Sequence, residues 1–317
     1  MLIAALPFTG ANLEQLLVNG VFAGTGYALV AVGFGMIINV TGRFHIAYGV
    51  IYALAAFVAG QVGISWGLPF PAAMAVGVVA SMIVAVGVER FVYWPLNRRL
   101  GTGALMTIFI VSLGLSTAGQ NAIALLWVKS GTVNVPGFNV QSVQFLDVYT
   151  TNLAVVAFFV GAAAIFLVWA VIRWTKLGRM IRAVGANPEL SLSVGIDPRI
   201  IYMSVFAFGT ALGSIDAVFA ATESTATPDM GSTPILYAIT IAFLARSSSP
   251  MVIAGVALIV GLVESLSGFV VQPEWAQVVI FSGLLIYVLG MALQTNVQAL
   301  MQRRPPSSAA VKADPSK

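Results

Sequence analysis

Few side chains in this sequence are equipped for chemistry, and most of those that are lie in apolar surroundings. There is a single histidine, His45, and no cysteine, which excludes disulfides, thiol chemistry and any multi-histidine metal site within one chain. No Gly-Lys-Ser/Thr phosphate loop, paired-carboxylate site or nucleophile–base constellation occurs. No catalytic residue is therefore assigned, and neither metal nor cofactor is expected on this chain. What remains is a set of polar groups inside apolar runs. A charge at the centre of a membrane helix costs about 2.5–3.5 kcal/mol, so each of them needs a reason.

Asp216 lies past the middle of one such run. It either reaches water at the outer surface or lines the outer mouth of a passage, and both readings stay open. Glu264, in Gly261–Ser265, is the deepest carboxylate and either ties helices together or faces a passage. Gln120 and Asn121 are better suited to pinning helices than to reading a solute. Glu89-Arg90 reads as an ion pair in a solvated zone at the inner surface. His45, in Gly42–Gly49, reads first as a capping or surface group; alternatively this connector dips inward and His45 and Tyr48 touch a solute. Ser248, in Arg246–Pro250, belongs to a second connector of the same small, polar character. Broken segments in corresponding places of two halves point to transport sites.

The elements that position these groups follow from composition. Hydrophobic residues make up 59% of the 317 and charged residues 8%. A water-soluble domain has about a quarter of its residues charged, so this chain belongs in a bilayer. Crossing the ~30 Å hydrocarbon core takes about 20 apolar residues. Such runs occur at Leu13–Val40, Phe44–Gly63, Phe70–Phe91, Gly103–Trp127, Asn152–Arg173, Ile200–Ala221, Met251–Val271 and Trp275–Val297. Thr233–Ala245 is shorter and reads as a half-helix or a partial crossing. The expected fold is all-α and polytopic, with about eight long transmembrane helices and one short one. Residues 1–298 form one membrane domain, and 299–317, rich in Pro, Ser and Ala, a disordered tail. Met1–Pro7 lacks a basic leader and does not read as a signal peptide.

Charge sets the sidedness. With the connectors at Arg43, Tyr93–Leu100, Thr175–Arg199, Arg246 and the tail on the cytoplasmic side, fourteen of the fifteen Lys and Arg lie there, Lys129 excepted. The N-terminus is then outside and the C-terminus inside. This placement also explains the net charge of +4 without any nucleic-acid partner. Val128–Thr151 is the one sizeable outer loop.

The longest polar interruption, Arg173–Arg199, carries Arg173, Lys176, Arg179, Arg182 and Arg199. Asn187 is a good N-cap, Pro188 fits the first helical position, and Glu189 suits the positive end of the helix dipole. Gly195 can take the left-handed conformation that ends such a helix, and Asp197-Pro198 starts the next. The reading is two short helices at the membrane surface, joined by an Asn-Pro turn, forming a basic elbow that another protein could hold.

This elbow carries the most specific part of a family resemblance. Gly178–Ala183, then Asn187-Pro188, then Gly195-Ile196 resemble the cytoplasmic coupling loop of branched-chain amino-acid (LIV-type) permeases of bacterial ABC importers. Glu89–Leu96 is similar to that family's third-span ending, and Ser112–Ser116 with Gln120-Asn121 to its fourth span. Asn19-Gly20, Tyr27–Leu29 and Val40–Gly42 fit as well, so the resemblance runs from about Leu13 to Leu293. It implies a permease of the bacterial inner membrane that pairs with a second, similar permease. Two cytoplasmic ATPase subunits, holding ATP and Mg, would drive it, and a periplasmic binding protein would deliver the solute. By the same resemblance Met180–Val194 enters a groove on the ATPase, with Gly178, Arg179, Arg182, Ala183, Asn187, Pro188, Glu189 and Gly195 forming the coupling loop. Where the family has Asn-Phe-Ala-His-Gly-Glu, this chain has His45–Val50, and Arg246–Pro250 replaces a glycine-rich turn. Branched-chain amino acids, other amino acids, amides and urea-like solutes are all consistent with these differences. An ion-coupled carrier working alone is the alternative from another class, kept open by Asp216 and Glu264.

Overall fold

The computed structural model describes residues 10–101, 104–127, 132–145 and 148–270, with Val278 and residues 281–283 besides. Among these residues seven helices are long and apolar enough to cross a membrane. Most of the eighth expected run, Trp275–Val297, lies outside the described residues, as do Met1–Pro7 and the 299–317 tail.

Helix α1 (Gly10–Thr41) is 32 residues long, about 48 Å at 1.5 Å per residue, and runs through the middle of the bundle. Helix α2 (Tyr48–Trp66) ends at Gly67, whose φ of 62° is the left-handed stop expected of a glycine. Helix α3 (Phe70–Val88) does not stop near Phe91 as its apolarity suggested. It passes through one π-helical turn (Glu89–Tyr93) straight into α4 (Trp94–Leu100). Pro95 lies just past the π-helical turn of this continuous helix, where a ladder bond that its missing N–H cannot make is absorbed by the local change in pitch. Helix α5 is Ala104–Leu126.

The outer loop holds structure that the sequence reading lacked. Strands β1 (Ser142–Phe145) and β2 (Val148–Thr151) pair antiparallel, Ser142 opposite Thr151, and Val133 bridges Ala226. Helix α6 (Asn152–Trp174) follows directly, capped by Thr151 Oγ1, which accepts from Ala154 N at 3.1 Å. The elbow comprises α7 (Lys176–Ala186) and α8 (Pro188–Ser193). Then come α9 (Pro198–Glu223), α10 (Ser232–Ala245) and α11 (Pro250–Val270).

Close approach of backbones holds the centre together. A Cβ on Gly33 of α1 would overlap the Gly209 carbonyl of α9, so these helices cross at van der Waals contact. Helices α5 and α6 turn Met106, Ile110, Leu125, Phe159 and Leu167 outward. Such faces are stable where lipid tails or another membrane subunit cover them.

The bundle has two distinct ends. At one, Gln15 of α1 bonds the Tyr149 backbone of β2 in both directions, at 2.7 and 2.8 Å. At the other, Asn39 Nδ2 donates to Ser247 O (3.1 Å), Gly185 packs on Val40, and Arg199 lies over the Trp94 ring. Arg98, Arg99, the elbow and Arg246 all belong to this second end, as the positive-inside reading requires.

Candidate functional site

Three places gather the polar residues. The first is the connector between α1 and α2. Gly42, at φ 67°, reverses the chain, and the next residues turn into the bundle instead of crossing its surface. Arg43 and Glu89 are 1% and 0% exposed and form an ion pair, with the guanidinium 4.9 Å from the Tyr202 ring centre. Glu89-Arg90 is therefore not a surface pair: the partner of Glu89 is Arg43, deep in the bundle. The π-helical turn helps by bringing both Glu89 and Tyr93 to the buried side. His45 is not a surface cap either. It is fully buried, and Nδ1 lies 2.9 Å from Tyr93 Oη. The Tyr48 hydroxyl donates to Gly209 O at 3.0 Å. The connector does dip inward, but His45 Nδ1 and the Tyr48 hydroxyl are taken up by the bundle, His45 Nε2 is buried without a partner among the described residues, and neither residue borders the cavities described next.

The second place is an outer cavity of about 560 Å³ between α1, α6, α9 and the β-hairpin. Asp216 lines it, its Oδ2 accepting from Tyr52 Oη at 2.9 Å, and Glu223 of α9 and Asn19 of α1 line it too. Tyr27 also lines it and stacks on Tyr237 of α10, ring centres 4.4 Å apart and 6° from parallel. Tyr237 Oη in turn donates to Glu264 Oε1 at 2.8 Å, so Glu264 ties α11 to α10 one layer behind the cavity. Gln120 reaches Ser232 Oγ only at 3.5 Å, whereas Asn121 turns back to Thr117 O of its own helix. Among the described residues Asn121 thus pins no second helix.

Helix α10 begins beside this layer. A Cβ on Gly231 would overlap the Gly49 backbone at the start of α2, so two helix starts abut inside the bundle. From there α10 runs alongside α1, Tyr237 by Tyr27, Ala242 by Gly35, and reaches the turn at Ser247 by Asn39. Its 14 residues cover about 21 Å, short of a full crossing.

The third place is the elbow and a cavity of about 660 Å³ above it, lined by α1, α6, α7 and the α10–α11 turn. Ser248 lies here, at the opposite end from Asp216. Thr175 caps α7 (Gly178 N, 3.1 Å), and Asn187 Oδ1 caps α8 by accepting from Glu189 N and Leu190 N, both at 3.0 Å. Gly195, at φ 83°, closes α8, and Asp197 caps α9. Gly178 is required by contact, since a Cβ there would overlap the Ile172 carbonyl. Arg182 does not stand free on the elbow: its Nη1 donates to Ile172 O, covering a carbonyl at the end of α6. The large apolar groups that project are Leu190 (66% exposed), Leu192 (61%) and Val194 (75%), alongside exposed Arg179 and Glu189.

The sequence reading missed Tyr27, Tyr52 and Tyr237, and the projecting residues of α8. A tyrosine in an apolar run signals a hydroxyl in need of a partner. Apolar side chains at positions 190, 192 and 194, in a short capped helix among basic residues, signal a surface that another protein covers.

With this geometry in place, comparison with known proteins adds the following. A family described as "Branched-chain amino acid transport system / permease component" matches residues 16–289. The high-affinity branched-chain amino acid transport system permease protein BraD of Pseudomonas aeruginosa is 28% identical over 289 residues, covering 87% of this chain and 92% of that protein. The corresponding LivH protein of Escherichia coli K12 is 27% identical over 292 residues, with 87% and 93% covered. The D-allose transport system permease protein AlsC of the same strain is also 27% identical, over 294 residues, with 89% and 83% covered. No solved structure matches.

Proposed function

The chain belongs to the branched-chain amino acid transport system permease family, and on that premise we propose that it is the membrane-spanning subunit of an ATP-driven importer in a bacterial inner membrane. In this reading residues 1–298 are one permease domain that pairs with a second permease. ATP and Mg act on two separate cytoplasmic subunits, and a periplasmic protein supplies the solute. The observation that carries the proposal is the elbow. Its two helices are capped at both starts, stopped by Gly195 and packed onto α6 through Gly178, yet Leu190, Leu192 and Val194 point away from the chain. A rigid element with an uncovered apolar tip is what a moving partner can push without the push being lost in flexing.

Closure of the ATPase pair would drive two such elbows together and tilt the bundles between outward- and inward-open states, each ligand favouring the state that it binds better. The family relatives named for branched-chain amino acids support an amino acid as cargo. So does the outer cavity, where the Asp216 carboxylate lies among aromatic rings, a setting complementary to an ammonium group.

The test is Leu190→Glu. A charge placed at a packed anchor should weaken ATPase co-purification and lower ATP-dependent uptake by about thirtyfold, the factor matching the ~2 kcal/mol typical of an interface anchor. Insertion and folding should be unaffected, since the side chain is mostly exposed. Uptake by the purified chain alone, driven by protons or sodium, would contradict the proposal.

A further inference from the structure

We propose that the cavity between α1, α6, α7 and the α10–α11 turn is a site for the phosphodiester headgroup of an anionic membrane lipid. The wall chemistry is one-sided. Arg173 and Arg182 line it, Asn39, Ser247 and Ser248 add amide and hydroxyl groups, and no carboxylate is among the lining residues. Within the described residues no hydrogen bond or ion pair holds the Arg173 guanidinium or the Ser248 hydroxyl. Arg182 uses Nη1 on Ile172 O, which fixes the guanidinium at the rim of the cavity with its other N–H groups still available. At about 660 Å³ the space accommodates a glycerophosphate headgroup.

Lipid is favoured over a free anion by what surrounds the opening. Trp169 lines the cavity and clusters with Phe166 (ring centres 5.4 Å apart) and Trp174 (5.1 Å). Phe166, Leu167 and Trp174 are exposed on the outward face of α6. Tryptophans at this level form the belt that marks a membrane–water boundary, and acyl chains can lie along Phe166 and Leu167 while the phosphate turns inward. Basic pockets between spans on the cytoplasmic side suit anionic headgroups for the same electrostatic reason. The site joins the elbow to the rest of the bundle, because Arg182 and Gly185 of α7 form one wall and Ser247–Ser249 the other. A bound headgroup would stiffen the joint through which the elbow moves. The site itself depends on neither the cargo nor an ATPase; only its effect on elbow movement rests on the proposed function.

The experiment is native mass spectrometry of the detergent-solubilised full chain, titrated with phosphatidylglycerol or with phosphatidylcholine of the same acyl chains. Phosphatidylglycerol should bind preferentially. Arg173→Gln should weaken that binding about fivefold, the factor equivalent to ~1 kcal/mol per arginine, and Arg173→Lys should largely restore it. Ser248→Leu, which fills the cavity without touching a charge, should weaken it too and guards against misfolding of the arginine variant. Arg99→Gln, at the same end of the bundle but outside the cavity, should change nothing. Equal binding of the two lipids would overturn the proposal, as would an effect of Arg99→Gln as large as that of Arg173→Gln. Displacement of the bound lipid by inorganic phosphate at low millimolar concentration would reassign the site to a soluble anion and overturn the lipid assignment.

Discussion

Arg43 is, by position, one more basic residue in a connector that charge asymmetry assigns to the cytoplasm, yet it is buried and paired with Glu89. Isolated, either charge would be very costly at that depth; together, with the Tyr202 ring against the guanidinium, the cost is offset by their attraction. Such a pair specifies position more than it adds stability, because an apolar pair of similar volume can replace it at little cost. The pair fixes where the re-entering connector sits, and with it the starts of α2 and the π-helical turn. Arg43→Met should therefore cost about 3–5 kcal/mol by stranding the Glu89 carboxylate, whereas Arg43→Met with Glu89→Leu should recover most of it. Thermal unfolding in detergent measures both. If the double variant were as unstable as the single one, something other than the unpaired charge would be responsible.

At the scale of elements the informative feature is the meeting of two helix starts, α2 after the inner connector and α10 after the outer one, at Gly49 and Gly231. Neither segment leaves backbone exposed to lipid there, because each start is covered by the other, with α1 packed on α10 and α9 on α2. Both glycines are needed for the approach and not for φ, since neither has a positive φ. Gly231→Ala should force the two backbones apart and destabilise the protein by about 1–3 kcal/mol, the range for overpacking. Gly255→Ala in α11 is the matched control. Among the described residues nothing lies within 4 Å of a Cβ there, so the exchange should be neutral or stabilising by up to about 1 kcal/mol through helix propensity. The contrast, read as unfolding midpoints, separates a tight contact from a general dislike of alanine.

Across the whole molecule, what the sequence made legible is what lipid enforces. The spans, the basic end and the capped elbow follow from the demand for apolar runs, from charge asymmetry and from backbone groups at helix ends. Partnerships between polar side chains were not legible, because Arg43 with Glu89, Tyr52 with Asp216 and Tyr237 with Glu264 are 46, 164 and 27 residues apart and are chosen by packing. The hairpin at Ser142–Thr151 escaped notice because four-residue strands give almost no alternation to read. Phe70–Leu100 was split because its last turns are polar enough to read as a connector, although the helix continues. The two cavities now give the sidedness a direct test, and the absence of native cysteine makes it clean. Asn19 lines the outer cavity and Ser248 the one at the basic end, and both are exposed. Asn19→Cys should react with a membrane-impermeant maleimide in right-side-out vesicles, and Ser248→Cys only in inverted ones. The reverse pattern would place the elbow outside the cell, beyond reach of any cytoplasmic ATPase, and with it would go the proposed mode of transport.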